Sequence, residues 1–132
     1  MHFWDALDFV GLNNYYPLTQ SLGQGLPEML AQGRVLAEKI ETIQRRWQRP
    51  VLFTEVGYPS LRGGTFRPWA PPSSQHDLAE QAAGYEAILR TFAGKPWLRG
   101  IFWWAWYDGD FSPAGKPAEQ TLRIWYRDHA EM

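Results

Sequence analysis

Three nearly continuous apolar runs, separated by similar lengths of chain, limit the possible folds most strongly. They are "LDFVGL" (Leu7–Leu12), "PVLFTE" (Pro50–Glu55) and "GIFWWAW" (Gly100–Trp106). Apolar runs without polar alternation are typical of strands buried on both faces of a parallel sheet. The predicted strands begin near residues 7, 50 and 99, which gives a repeat of about 40–50 residues.

A segment with helical periodicity follows each apolar run. Ser74 is the predicted N-cap of the second helix, and Pro117 suits the first position of the third. Alternating strands and helices predict an α/β fold with a parallel sheet and crossover helices. The residues predicted to face inward are Met29, Leu36, Ile40, Ile43 and Trp47, then Leu78, Ala82, Tyr85, Leu89 and Phe92, then Ala118, Leu122 and Trp125.

Composition and charge exclude several classes of function. The hydrophobic fraction of 45% and the charged fraction of 20% fit one globular unit over residues 1–132. A net charge of -1 without a basic block predicts no nucleic-acid partner. The chain has no cysteine and only scattered histidines, which predicts no metal site. Neither a bilayer-spanning stretch nor a signal peptide is recognisable, so no membrane partner is predicted and the localisation stays unknown.

The candidate functional residues cluster where the predicted strands end. Asn13–Tyr16 follows the first apolar run, Glu55 closes the second, and Trp103–Tyr107 lies at the end of the third. Long loops follow the strands, whereas the connections that lead into them are short. Parallel α/β folds bind ligands at the carboxyl ends of their strands, so the sequence predicts a site at this edge of the sheet.

Glu55 has two interpretations from its position alone. A carboxylate at the end of an apolar strand is costly to bury unless it is paired or used. Among aromatic residues, which make up 16% of the chain, it suits attack on an anomeric carbon or stabilisation of an oxocarbenium-like transition state. The alternative is an acid that caps a helix or stabilises the following loop.

Strand parity decides which of the aromatic candidates can lie on the same face as Glu55. A tyrosine from the neighbouring strand could donate a hydrogen bond to Glu55 and keep it ionised, but alternation allows only one of Tyr15 and Tyr16 to reach that face. Trp104 and Trp106 share one parity and Trp103 has the other, and the sequence does not say which face is the inner one.

Two aspartates follow the third run, in the "DGD" segment. Turn chemistry accounts for both Asp108 and Asp110, so we expect a structural role for them.

The three clusters together resemble a known family. The segments "DFVGLNNYYPLT", "KIETIQRRWQRPVLFTEVGYPS" and "GIFWWAWYDGDFSPAGKPAEQTLRIWY" are similar to the C-terminal part of the family 113 glycoside hydrolases, retaining β-mannanases with (β/α)₈ barrels. The resemblance covers essentially the whole chain. It implies a partial TIM barrel that comprises roughly strands six to eight and their helices.

The resemblance also implies roles for individual residues. Glu55 matches the catalytic nucleophile, and Tyr15 matches the tyrosine that contacts it, with Tyr16 in reserve. Trp103 and Trp104 match the segment beneath the sugar at the cleavage point, and Trp106 is a further candidate for substrate binding. A β-1,4-mannan or glucomannan substrate and the absence of a cofactor are implied as well.

One catalytic group of the family has no match in this chain. Retaining hydrolysis uses two carboxyl groups about 5–5.5 Å apart, and the acid/base of this clan follows an asparagine at the end of the fourth strand. No Asn-Glu pair occurs in the 132 residues, about half of the roughly 250 that a complete barrel needs. We therefore expect a fragment that carries the nucleophile and is inactive alone.

Two other classes of function stay open. The chain could be a carbohydrate-binding unit without catalysis, in which Trp104→Ala would abolish binding. It could also be a structural half-barrel that pairs with an N-terminal half or with itself. Open sheet edges and unpaired apolar surface predict self-association at micromolar concentration.

Overall fold

Strands and helices alternate along the chain in the computed structural model, which describes residues 3–129. The strands are parallel and lie in the order β1-β2-β3. This architecture confirms the predicted α/β class and is that of three consecutive β/α units of a TIM barrel. The elements are β1 Val10–Asn14, α1 Leu26–Trp47, β2 Val51–Val56, α2 Leu78–Phe92, β3 Leu98–Trp103 and α3 Pro117–Asp128, with short 3₁₀ helices at Trp4–Ala6 and Gly109–Phe111.

The first and third strands are displaced from their predicted bounds. The first begins at Val10 rather than Leu7, and the Arg49 guanidinium, instead of a neighbouring strand, donates hydrogen bonds to the carbonyl oxygens of Asp5 and Leu7. The third ends at Trp103, and the chain turns before it reaches Trp106.

The helix starts follow capping chemistry, with one correction. Asp77, not Ser74, caps α2, and its carboxylate accepts a hydrogen bond of 2.9 Å from the Glu80 amide. The prediction was wrong because His76 forms an antiparallel bridge with Leu61, which keeps the chain extended up to Asp77. Pro117 occupies the first turn of α3, as predicted.

The helices cover only one face of the sheet. Phe53 packs edge-on against Phe92 of α2 at a centroid distance of 4.8 Å, within a core that α1 also lines. On the other face Thr54 is exposed and Phe102 is 61% exposed. The predicted burial of both strand faces is therefore wrong for the chain by itself, since the uncovered face is the one that lines the interior of a closed barrel.

Most of the predicted helical stripes are buried. Met29, Leu36 and Ile40 of α1 belong to the core, whereas Ile43 at its far end is 38% exposed. In α2 the first predicted inward residue, Leu78, is 39% exposed. In the part of the chain that the structure describes, no helix is long and apolar enough to cross a membrane.

An apolar groove runs along the outer edge of β1, beside α1. It has a volume of about 690 Å³, and Leu12, Leu36 and Ile40 contribute apolar side chains to it. Pairing joins β1 to β2 alone, so the groove lies along a strand edge that no described strand covers.

Candidate active site

A β-bulge near the end of β2 aims Glu55 at the open face of the sheet. Phe53 and Val56 are both fully buried in the core beneath the helices, although Thr54 and Glu55 separate them. Regular alternation would put Phe53 and Val56 on opposite faces. The extra residue leaves both Thr54 and Glu55 for the open face, and bulges commonly re-aim side chains in this way beside active sites.

The pairing on both sides of β2 shows the same extra residue. Phe53 pairs with Ile101 and Val56 pairs with Trp103, so β2 contains one residue more than β3 between the two pairs. The register with β1 shifts at the same place, just before Asn13, which lies opposite Glu55. The bulge is therefore a property of β2 itself rather than of one neighbouring strand.

Tyr15 binds Glu55 directly. Its hydroxyl donates a hydrogen bond of 2.7 Å to Oε2 of Glu55. Burial, the bond to Glu55 and the negative charges of Glu55 and Asp108 together raise the pKa of the Tyr15 phenol above its ordinary value. The phenol is therefore neutral at physiological pH, and it serves as a hydrogen-bond donor to the Glu55 carboxylate.

The structure brings Tyr15 rather than Tyr16 to the glutamate. Tyr16 is 49% exposed, and its side chain lines the apolar groove beside α1. Asn14 is fully buried beneath the helices, which fixes the parity of the strand end and leaves Tyr15 on the side of Glu55.

The tryptophans divide between two surfaces. Trp103 stacks on Tyr85 of α2 at 4.2 Å, and its indole N–H donates to the Tyr126 hydroxyl of α3 at 2.9 Å. These contacts use both the ring face and the polar edge of Trp103 for packing on the helices. Trp104 is 43% exposed and Trp106 is 44% exposed, so both retain free ring surface.

Trp104 is fixed to the end of β2 by its backbone. Its amide donates a hydrogen bond of 2.8 Å to the carbonyl of Val56. A Cβ atom added at Gly57 would lie 2.2 Å from the Trp104 carbonyl oxygen, so only glycine permits this approach. The two strand ends that carry Glu55 and Trp104 thus touch through their main chains.

A polar pair lies beside the Glu55 position on the open face. The Thr54 hydroxyl donates to Oδ1 of Asn13 at 2.8 Å. This bond orients the Asn13 amide so that its nitrogen remains available as a donor. Asn13 belongs to the predicted cluster Asn13–Tyr16 but was given no role, and Thr54 was not predicted, because the contact between these two polar strand residues depends on the register.

The loop after β2 is held by a single carboxylate from α2. Glu80 accepts hydrogen bonds from the amides of Gly63 and Thr65, both at 2.9 Å, and from the Thr65 hydroxyl at 2.6 Å. The Thr65 carbonyl in turn accepts the amides of Leu18 and Thr19 from the loop after β1. These bonds join two loops of the predicted site into one rim.

The two aspartates of the third loop lie at this rim. Asp108 precedes the 3₁₀ helix Gly109–Phe111, and its negative charge contributes to the raised pKa of the Tyr15 phenol. The Asp110 carboxylate lies 4.0 Å from Nδ1 of His76. Among residues 3–129 no group of three or more His, Cys, Asp or Glu side chains could hold a metal ion.

A comparison with protein-family models identifies one family. Residues 1–126 match the model of Glycoside Hydrolase Family 113. No curated protein sequence matches the chain. The GH113 β-mannanase AaManA from Alicyclobacillus acidocaldarius, solved in complex with ManMIm, is 28% identical with a TM-score of 0.76 over 96% of this chain and 41% of its own.

Other solved structures show the same relation in length. A GH113 β-1,4-mannanase is 26% identical, with a TM-score of 0.75 over 98% of this chain and 42% of that one. The chain thus spans about two fifths of the length of these structures. A β-glucuronidase from Faecalibacterium prausnitzii, at 16% identity and a TM-score of 0.64, shares the fold alone.

Proposed function

Because the chain belongs to glycoside hydrolase family 113, we propose that it carries the nucleophile half of the active site of a retaining β-1,4-mannan hydrolase. The observation that carries this proposal is the Tyr15–Glu55 hydrogen bond of 2.7 Å at the carboxyl end of β2. A bulge in the strand directs the carboxylate to the open face, where a barrel holds its substrate.

The proposed reaction assigns one role to each side chain. The Glu55 carboxylate attacks the anomeric carbon and forms a glycosyl ester as the bond to the leaving oxygen breaks. Tyr15 orients this carboxylate before the attack through its hydrogen bond of 2.7 Å. Trp104, half-exposed at the neighbouring strand end, supplies an aromatic surface for the apolar face of the sugar.

The leaving oxygen needs a proton from a second carboxyl group. We assign this general acid to a part of the barrel that the chain does not contain, because no Asn-Glu pair occurs in its sequence. In the second half of the reaction the same group would remove a proton from the water that releases the sugar. The proposed substrate class is β-1,4-mannan, as for the related GH113 β-1,4-mannanases, with glucomannan added from the family resemblance.

The preceding part of a barrel is the proposed partner of this chain. The groove of about 690 Å³ between β1 and α1 offers apolar side chains beside an unpaired strand edge. A further parallel strand and its helix would fill both, since consecutive β/α units pack in this manner. Without that partner we expect the chain to associate with itself through the same surface.

A chimeric barrel tests the proposed function. Residues 1–132 replace the matching C-terminal part of the Alicyclobacillus acidocaldarius β-mannanase, and release of reducing ends from β-mannan is measured for the chimera and for the chain alone. We expect activity from the chimera, none from the chain alone, and a loss of at least about 10³-fold with Glu55→Gln, because the nucleophile is removed. Equal activity of the Glu55→Gln chimera would contradict the assignment.

A further inference from the structure

Gln81 of α2 is a buried amide whose side-chain hydrogen bonds all go to the loops of the site. Its side chain is fully buried, and Nε2 donates a hydrogen bond of 3.0 Å to the Tyr58 carbonyl. The same nitrogen lies 3.3–3.4 Å from the carbonyl oxygens of Asp110, Phe111 and Ser112. An apolar residue of this size would leave the carbonyls of Tyr58, Phe111 and Ser112 without this donor, which is costly in a buried place.

The carbonyls that meet Gln81 belong to two different loops. Tyr58 begins the loop after β2, whereas residues 110–112 belong to the loop after β3. A backbone bond of 2.8 Å from the Ser60 amide to the Asp110 carbonyl joins the same two loops. Lys116 spans them as well, since its Nζ lies 3.1 Å from the Ser60 hydroxyl and 3.0 Å from the Gly109 carbonyl.

The segment that Gln81 holds carries a ring that contacts the site. Phe111 meets the Tyr15 ring edge-on at a centroid distance of 6.3 Å. Its Cδ1 also lies against Gly57, 3.2 Å from the place of a Cβ there. Any shift of residues 110–112 would therefore move the ring that limits where Tyr15 can lie.

We propose that Gln81 is a positioning residue, which clamps the loop after β3 so that Phe111 holds Tyr15 in hydrogen-bond contact with Glu55. Its catalytic meaning rests on the proposed function, in which Glu55 is the nucleophile. The clamp itself is a property of this chain and is tested without any assay of activity.

The test follows the ionisation of Tyr15 in the whole 132-residue chain. 3-Fluorotyrosine is placed at position 15 alone, and its ionisation is followed by ¹⁹F NMR over alkaline pH. Gln81→Met keeps the length of the side chain but removes its donor, and Phe111→Leu removes the ring edge. Gln120→Met, at an exposed position of α3, is the matched control. Circular dichroism establishes which variants are folded.

The expected result is a lower Tyr15 pKa in both Gln81→Met and Phe111→Leu, and an unchanged one in Gln120→Met. A loosened phenol gains water and loses the carboxylate beside it, and both changes favour the phenolate. At a fixed alkaline pH, each unit by which the pKa falls raises the ratio of phenolate to phenol about tenfold.

Two results would overturn the proposal. A folded Gln81→Met or Phe111→Leu variant in which Tyr15 ionises as in the parent chain would show that the clamp does not position Tyr15. An equal change in Gln120→Met would show that the effect is not specific to Gln81. If the chimeric barrel is inactive while its Tyr15 ionises as it does in the unsubstituted 132-residue chain, the result would count against the proposed function and not against the clamp.

Discussion

Gly57→Ala is the substitution whose consequence the structure defines most sharply. The new Cβ would lie 2.2 Å from the Trp104 carbonyl oxygen, whereas Cβ atoms essentially never come within 3.0 Å of another heavy atom. The two strand ends must therefore separate by about 0.8 Å. The neighbour is a backbone atom, tied by the 2.8 Å bond between the Trp104 amide and the Val56 carbonyl, so it cannot rotate away.

The expected cost follows from the balance of two effects. Forcing an extra carbon into a packed place destabilises by about 1–3 kcal/mol. Alanine also restricts the unfolded chain, which offsets about 0.4–1 kcal/mol. We expect the free energy of unfolding of Gly57→Ala to fall by about 1–2 kcal/mol. Gly94→Ala is the matched control, because nothing lies within 4 Å of its Cβ position.

Urea denaturation followed by circular dichroism measures both variants at a concentration where sedimentation shows a single species. In the chimeric barrel, Gly57→Ala should also lower kcat/KM, by about 10²-fold if Trp104 moves by nearly 1 Å. Gly57→Ala and Gly94→Ala with equal stability would refute the reasoning, since the close approach would then carry no cost.

Four further outcomes are expected. Tyr15→Phe in the chimeric barrel should lower kcat by about tenfold or more, because one hydrogen bond to a charged group contributes about 1.5–3 kcal/mol; an unchanged kcat would contradict its role. Glu80→Gln should lower the free energy of unfolding by about 1–3 kcal/mol in urea, since one carboxylate oxygen among three donors becomes an amide N–H. Burial raises the pKa of Tyr15, Tyr58 and Tyr85. The folded chain therefore keeps phenol protons that the unfolded chain loses, and the free energy of unfolding should fall as the pH rises above about 10. Tyr58→Phe should make that fall less steep. Sedimentation of the chain alone should show self-association at micromolar concentration, and a monomer that unfolds cooperatively would contradict it.

Features that depend on neighbouring residues along the chain were predictable. The buried stripe of Met29, Leu36 and Ile40 follows from helical periodicity alone, because the spacing of residues along the chain decides which side chains share the apolar face of a helix. The order of strands and helices follows equally from local pattern. The cap of α2 was assigned to Ser74 instead of Asp77, since the choice depends on a bridge between Leu61 and His76 that no local signal reveals.

The face of the sheet on which each site side chain lies was not predictable, because it depends on strand register. Period-two alternation gives Thr54 and Glu55 opposite faces, and only the bulge brings both to the open one. Strand parity alone also left open which of Tyr15 and Tyr16 reaches Glu55, although the family resemblance favoured Tyr15, and the burial of Asn14 fixes that parity. Gln81 carried no signal at all, since its partners are backbone carbonyls from distant loops.

The most direct test of the account is the site of covalent labelling in the chimeric barrel. A 2-deoxy-2-fluoro-β-mannoside with a dinitrophenyl leaving group needs no proton from the general acid, so labelling reports on the nucleophile alone. Peptide mass spectrometry then identifies the esterified residue. The account predicts one fluoromannosyl group on Glu55 and none in Glu55→Gln. An adduct on Asp108 or any other carboxylate, or labelling that persists in Glu55→Gln, would contradict it.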